Sequence, residues 1–243
     1  MSSLEPLRRF CALLACVLAP ACTESPQSIA DYSAVAVLGG GAETTIGDWQ
    51  VTLSRAEFAF GPVYFCAAAS GSPTLCQSSV AELITVTTVD SLATTPVALG
   101  TVHGFTGPIR SASYDYGISW FETQSRPGPL PGAPSGHSVV LGAEARRGAE
   151  VIPIFAKVDV TPQSQGYHAV QTAPVSADVT SSHYRLEVEF DVAGWLGQLD
   201  LDDIAKTSER PFAIEPGDDA HSALLIGIRN LSPPVFRWVP LPP

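Results

Sequence analysis

The sequence predicts an all-β fold, an antiparallel β-sandwich of the immunoglobulin-like or jelly-roll-like kind with little helix. Three observations lead to it. Several short runs alternate apolar and polar residues with a period of two, which is the periodicity of a strand with one buried face. The chain carries 20 Gly and 21 Pro among 243 residues, a density that interrupts long helices. Hydrophobic residues make up 45% and charged residues 15%, a composition that buries a core and does not resemble a disordered chain.

The elements follow in chain order. Ser33 to Leu38 is a small apolar run closed by Gly39, Gly40 and Gly41. Trp49, Val51 and Leu53 alternate with polar neighbours, and Ala56, Phe58 and Phe60 continue in the opposite phase, which predicts a bulge or a change of sheet between them. Gly61-Pro62 interrupts before Val63 to Cys66. Leu83 to Val89 and Val97 to Phe105 read as strands, rich in Thr and Val. Ile109 to Phe121 reads as another, with Tyr114, Tyr116, Ile118 and Trp120 on one face. Residues 126–136, dense in Pro and Gly, form an irregular loop. Val139 to Ala145 and Val151 to Val160 flank Arg146-Arg147-Gly148 as a hairpin. Tyr184, Leu186, Val188 and Phe190 alternate with Arg185, Glu187, Glu189 and Asp191, a strand with one wet face. Leu199 to Lys206 is the best helix, acidic at its start and basic at its end. Ser222 to Ile228 reads as a last apolar strand, and the Pro-rich end as extended chain. The domain plan is a signal peptide over 1–21, a tether over 22–32 and one β-sandwich domain over 33–243, with about nine or ten strands at short spacing.

The first residues carry an address. Arg8-Arg9 precede an apolar run, FCALLACVLAPA, whose 12 residues as a helix would span roughly 18 Å against a hydrocarbon core of about 30 Å. That is the pattern of a cleaved export signal. Leu18-Ala19-Pro20-Ala21-Cys22 resembles the lipobox of bacterial lipoproteins, with Ala19 standing where that family prefers Leu. The resemblance implies a diacylglycerol on the Cys22 sulfur and an acyl chain on its amine, which together anchor a protein stably. Cleavage by the ordinary signal peptidase is the alternative. Thr23 after the cysteine is compatible with the outer membrane. Cys11 and Cys16 leave with the signal, so Cys66 and Cys76 remain as an even pair in an oxidising compartment, where a disulfide is expected. Closing so short a loop contributes roughly 2–3 kcal/mol. A two-cysteine metal or redox site is the other reading, although the spacing is far from C-x-x-C.

The charge excludes one class of partner. Net charge is −11, and loss of residues 1–21 leaves the mature chain near −12. Such a surface repels nucleic acid, and no stretch is basic enough to reverse that locally. The partners expected are the lipid bilayer, through the acylated N-terminus, and a protein, glycan or small ligand on the other side.

Chemistry is sparse. His103, His137, His168, His183 and His221 form none of the H-x-H, H-x-x-x-H or H-E-x-x-H spacings, so a metal site would have to be assembled from distant strands. The acids Asp200, Asp202 and Asp203, then Glu215, Asp218 and Asp219, lack EF-hand spacing and suit helix capping and a polar turn, with calcium as the other reading. Gly136-His137-Ser138 puts His beside Ser, but strand neighbours point to opposite faces. Asp115 reads either as a lone catalytic carboxylate or as a strand acid facing solvent. Tyr114, Tyr116, Trp120 and Trp49 read either as core or as a ligand-binding face.

TLSRAEFAFGPVYF over residues 52–65 and FDVAGWLGQLDL over residues 190–201 resemble segments of the methanobactin-associated periplasmic copper-binding lipoproteins. The resemblance covers under a fifth of the chain. It implies a metal, with Trp195 and the histidines as the places to look, and transfers no ligand residue by residue. The expected function is therefore an exported, lipid-anchored envelope protein of the outer membrane or periplasm that acts as a binding or structural module. It has no identifiable catalysis and no cofactor, and the alternative is a periplasmic lipoprotein that binds copper or another metal.

Overall fold

The computed structural model describes residues 27–38, 41–69 and 79–242. The export signal, Cys22, the Gly39-Gly40 strand end and Cys76 lie outside them. The strands in chain order are β1 (Ile29–Leu38), β2 (Glu43–Ile46), β3 (Trp49–Phe60), β4 (Val63–Cys66), β5 (Ala81–Leu83), β6 (Thr87–Asp90), β7 (Val97–Phe105), β8 (Gly107–Tyr114), β9 (Ile118–Ser119), β10 (Gly128–Pro129), β11 (Val139–Arg147), β12 (Glu150–Val158), β13 (Thr172–Val179), β14 (Tyr184–Phe190), β15 (Phe212–Ile214) and β16 (Val235–Pro240). Among the described residues three α-helices, α1 (Val192–Trp195), α2 (Leu201–Lys206) and α3 (Asp219–Ile226), follow β14. The fold is all-β, as the sequence predicts.

An eight-stranded sheet runs in the order β13-β8-β4-β5-β7-β1-β14-β16, and a second sheet runs β15-β12-β11-β3-β2, with β6 also paired to β3. Most neighbours are antiparallel, but β1 lies parallel to β14 and β12 parallel to β15, so the sheets are mixed. The core lies between the sheets. The larger one contributes Tyr32, Val63, Phe65, Val102, Leu186 and Phe190, and the smaller one Trp49, Phe58, Phe60, Leu141, Ile152 and Val158. Trp195, Leu201, Ile204, Leu224 and Ile228 from the helical stretch join the same cluster.

The phase switch in β3 is a bulge. Gly142 of β11 pairs with Arg55 while Ala143 pairs with Leu53, leaving Ser54 as the extra residue. One strand thereby buries both Trp49, Val51, Leu53 and Ala56, Phe58, Phe60. The change of sheet comes at Gly61-Pro62. Gly61 has φ +107°, and a Cβ there would run into the Thr85 carbonyl, so only glycine lets the chain cross between β3 and β4.

Four expectations are corrected. β1 starts at Ile29, inside the stretch read as tether, because Tyr32 is 1% exposed and pairs with Val102 of β7. Leu83 to Val89 is split, with β5 in the larger sheet and β6 on β3. Ile109 to Phe121 breaks after Tyr114, and residues 111–119 are all buried, so no face alternates. Ser222 to Ile228 is helical: Leu224 and Ile228, four apart, are fully buried on one side. A short apolar run does not by its periodicity separate a buried strand from a buried helix, and here Ala220, Ala223, Leu224 and Leu225 favour the helix. The Pro-rich end forms β16, an edge strand on β14, where Pro240 leaves no interior ladder bond unmade.

The expected late helix is present as α2. Asp200 caps it, its carboxylate accepting from Asp203 N at 2.9 Å. Asp202 ties α2 to the sheet, for the Trp49 indole donates to it at 3.2 Å while Arg147 both pairs with it and covers the Trp49 ring at 4.2 Å. These contacts hold the Asp202 carboxyl below its ordinary value of 3.8, the Trp49 hydrogen bond being the largest cause and Arg147 the next. A depressed folded-state pKa stabilises the fold fully above the unfolded value and is lost as pH falls through the folded one. Trp49→Phe is expected to move the Asp202 carboxyl upward in an NMR titration, and an unmoved value would remove the indole as its donor.

Candidate functional site

One chemistry-bearing region of the molecule centres on Asp115. The chain turns inward after β8, and Asp115 is 2% exposed, which rules out the reading as a strand acid facing solvent. Its backbone is held on both sides, donating to the Pro62 carbonyl at 3.1 Å and accepting from Gly61 N at 3.0 Å. Its carboxylate accepts from Ser119 Oγ at 2.7 Å and from Ala169 N at 2.5 Å. His168 Nδ1 stands 3.6 Å from the same carboxylate, an ion-pair distance longer than a hydrogen bond. The buried carboxylate is thus met by two hydrogen-bond donors, with the His168 ring beside them, as buried polar groups require.

Two of those groups come from the long connection between β12 and β13, residues 159–171. Asp115 therefore pins this loop to the larger sheet. The His168 ring stacks on Tyr64 of β4, with centroids 4.8 Å apart and planes at 32°. Burial pushes the Tyr64 phenol above its ordinary value, and the charges of Asp115 and then Glu82 push it further, so it stays protonated at neutral pH. From the opposite wall comes a turn of π-helix, Gly227–Leu231, directly after α3. Such turns are rare and recur at functional sites. It presents Arg229 and Asn230.

These parts enclose an open cleft of about 530 Å³ lined by Ser113, Gln163, Tyr167, His168, Gln171, Arg229 and Asn230, among others. The lining is mostly polar, with Tyr167 46% exposed. Arg229 is half-buried. Its Nη2 donates to the Thr161 carbonyl at 2.7 Å, and its buried Nε has no partner. Burial lowers the guanidinium pKa from its ordinary value.

A second cleft, of about 440 Å³, lies on the other side of the same connection and is lined by His137, Lys157, Asp159, Glu215 and His221. His137 Nδ1 meets Asp159 at 3.0 Å. Thr161 lines this cleft and accepts from Arg229 of the first, so the two share a wall.

The other candidates from the sequence are placed as follows. His103 pairs with Asp31 at 2.7 Å on the exposed face of the larger sheet, and His183 is exposed before β14. Ser138 is fully buried and its Oγ accepts from Val160 N, while His137 meets Asp159; the two stand in the bend before β11, not in a strand as expected. Asp200 and Asp218 serve helix and turn ends, the latter accepting from Glu215 N at 2.9 Å. Tyr114, Tyr116 and Trp49 are core, and Trp195 is fully buried, lining neither cleft. Among the described residues, no group of three or more His, Cys, Asp and Glu side chains is placed to hold a metal ion. Cys66 is 2% exposed at the end of β4 and is not a free thiol.

Sequence reasoning missed Arg229, Tyr64 and Ser119. One signal was available for the first: Arg229 is a lone cation in the apolar run ALLIGIRNL.

Comparison with protein-family models and with curated proteins finds no match. Among solved structures, MbnP from Methylosinus trichosporium is similar at 13% identity and a TM-score of 0.38, over 82% of this chain and 87% of that one. A likeness of that size carries no argument about fold, site or activity.

Proposed function

We propose that this protein is an exported, lipid-anchored envelope protein that binds a small polar ligand in the cleft between His168 and Arg229. The observation that carries the binding role is the built wall of that cleft: a buried Asp115 fixes the loop that presents His168, and a π-turn presents Arg229 with donor capacity left over. Concave sites with a few convergent polar groups are where ligands bind. The export signal and lipobox supply the address. Ile29 and Phe105, opposite each other across β1 and β7 and 80% and 44% exposed, add an apolar tip where the chain runs back towards Cys22. Among the described residues no helix is long and apolar enough to cross a membrane.

The alternative, a copper- or other metal-binding lipoprotein, finds its nearest fit in the second cleft, where His137 and His221 face one space with Asp159 and Glu215. Those residues do not make a preformed centre, so no step is assigned to a metal.

The test is native and denaturing intact mass of the naturally exported protein, unreduced, with metal content read from the same sample. Expected are cleavage before Cys22 with acyl chains, Cys66 linked to Cys76, and a small molecule that dissociates on denaturation. An unacylated mass would remove the anchor, and two free thiols would remove the disulfide. Stoichiometric copper or zinc in place of an organic ligand would replace the binding role with the metal-binding one.

A further inference from the structure

We propose that Arg229 makes the first cleft a subsite for the carboxylate of a small, singly charged organic acid. This deepens the cleft-binding reading and rests on it.

The case begins with how this acidic chain spends its cations. Arg55, Arg110, Arg146, Arg147, Arg185 and Arg237 each sit against a carboxylate, with Glu57, Asp178, Glu144, Glu150 and Asp202, Glu187 and Glu189 as partners. These pairs are at least partly exposed, where an ion pair contributes little. Arg185–Glu187 is the most enclosed, and Arg185 also keeps a buried Nε without a partner, but its charge is met by Glu187. Arg210 turns its guanidinium onto the backbone carbonyls of Ala205, Thr207 and Glu209, and Arg126 is exposed. Arg229 is the inverse case. It is half-buried, where an unpaired cation costs most, and among the described residues no carboxylate lies within ion-pair distance of it.

The side chain is nevertheless fixed. The bond from Nη2 to the Thr161 carbonyl sets the plane of the guanidinium, and the π-turn sets its stem. A guanidinium held in place with N–H donors unmet suits an anionic oxygen acceptor, to which a charge-assisted hydrogen bond is strong. With Nη2 engaged and Nε buried, Nη1 is the donor left for the cleft, and the Asn230 amide beside it can supply a second.

The charge of the ligand follows from the surroundings. One guanidinium stands alone in a protein of net charge −11, and the Asp115 carboxylate lies behind His168. A single negative charge is offset there, whereas a phosphate dianion would meet net repulsion. The rest of the lining describes the body of the ligand. Gln163, Gln171 and Ser113 offer amides and a hydroxyl, and Tyr167 offers an exposed ring at the rim. These suit a hydroxylated or amide-bearing acid, such as a sugar acid or an N-acylated amino acid, and not a fatty acid.

The experiment is an NMR titration of the isotope-labelled full mature chain, residues 22–243, with glucuronate, N-acetylglycine, lactate and inorganic phosphate. The amides of the three acids serve as neutral controls. At least one acid is expected to shift the signals of His168, Asn230 and the Arg229 side chain in a saturable, salt-weakened manner, and its amide is expected to bind about 10- to 100-fold more weakly. Arg229→Gln is expected to bring the acid down to the level of its amide, and Arg229→Lys to recover part of the difference. Chemical shifts elsewhere in each variant report that the fold is retained. Amides that bind as well as the acids, or an Arg229→Gln variant that binds undiminished, would overturn the carboxylate subsite and leave cleft binding standing. Phosphate that binds more tightly than every acid would overturn the single-charge assignment. A cleft silent to the whole panel would overturn both.

Discussion

Trp195→Ala is expected to cost about 3–5 kcal/mol, the range for removing a large aromatic side chain from a core that cannot collapse around the gap. Trp195 is fully buried, edge-on to Phe58 at 5.2 Å and to Tyr116 at 5.8 Å, and Phe58 in turn lies 4.7 Å from Phe190. Its indole N–H donates to the Ser232 carbonyl at 3.1 Å, so truncation leaves that acceptor exposed to the void as well. The site has no room to close, because α1 is pinned by its Asp191 cap and Gly227 sits so near the Trp195 carbonyl that a Cβ would collide with it. A urea titration at constant m would show the drop in midpoint. Trp195→Phe should retain more than half of the stability that the alanine variant loses. A loss below about 1 kcal/mol for the alanine variant would mean that this residue is not packed as described.

Asp115→Ala is expected to cost about 3 kcal/mol and to abolish binding in the first cleft. The cost arises because the Ser119 hydroxyl and the Ala169 N–H are left buried without an acceptor, each at about 1–3 kcal/mol. The loss of binding arises because residues 159–171 are then held to the larger sheet by less, and His168 loses the charge that orients it. Ser119→Ala removes one donor and leaves the loop contact, so it should cost about 1 kcal/mol and spare the cleft. Hydrogen exchange at the Ala169 amide separates the two effects, for it should accelerate in Asp115→Ala and hardly change in Ser119→Ala. An alanine variant at position 115 as stable as the parent would show that the carboxylate is not what holds the loop.

Much of the architecture was legible because strands announce themselves by short-range periodicity. The alternation in Tyr184 to Phe190, the hairpin around Gly148 and the span of Val97 to Phe105 appear as β14, the β11–β12 pair and β7. The phase switch at Ser54 was legible for the same reason, since an extra residue inverts the pattern on either side of it. Legibility failed where burial was complete. Residues 111–119 are buried throughout, so alternation had nothing to display, and the short apolar run of Ser222 to Ile228 suited either state.

The site was the least legible part. Asp115 stood out as an odd residue, yet its role depends on Ser119, on Ala169 and on His168, and the last two lie more than fifty positions along the chain. Arg229 reaches the cleft from a turn that no spacing rule announces.

By itself, then, the sequence determined the all-β class, the phase switch within β3, the cap of α2 and the acidic surface. Each of these rests on residues a few positions apart, and the backbone geometry of strand, turn or helix fixes how such neighbours meet. Only the tertiary structure decided the parallel pairing of β1 with β14, the burial of Asp115, the meeting of His168 with Tyr64 and the isolation of Arg229 from every described carboxylate. Those depend on contacts between distant segments, which form because two sheets must bury their apolar faces together, and no local pattern encodes which loops that packing brings side by side.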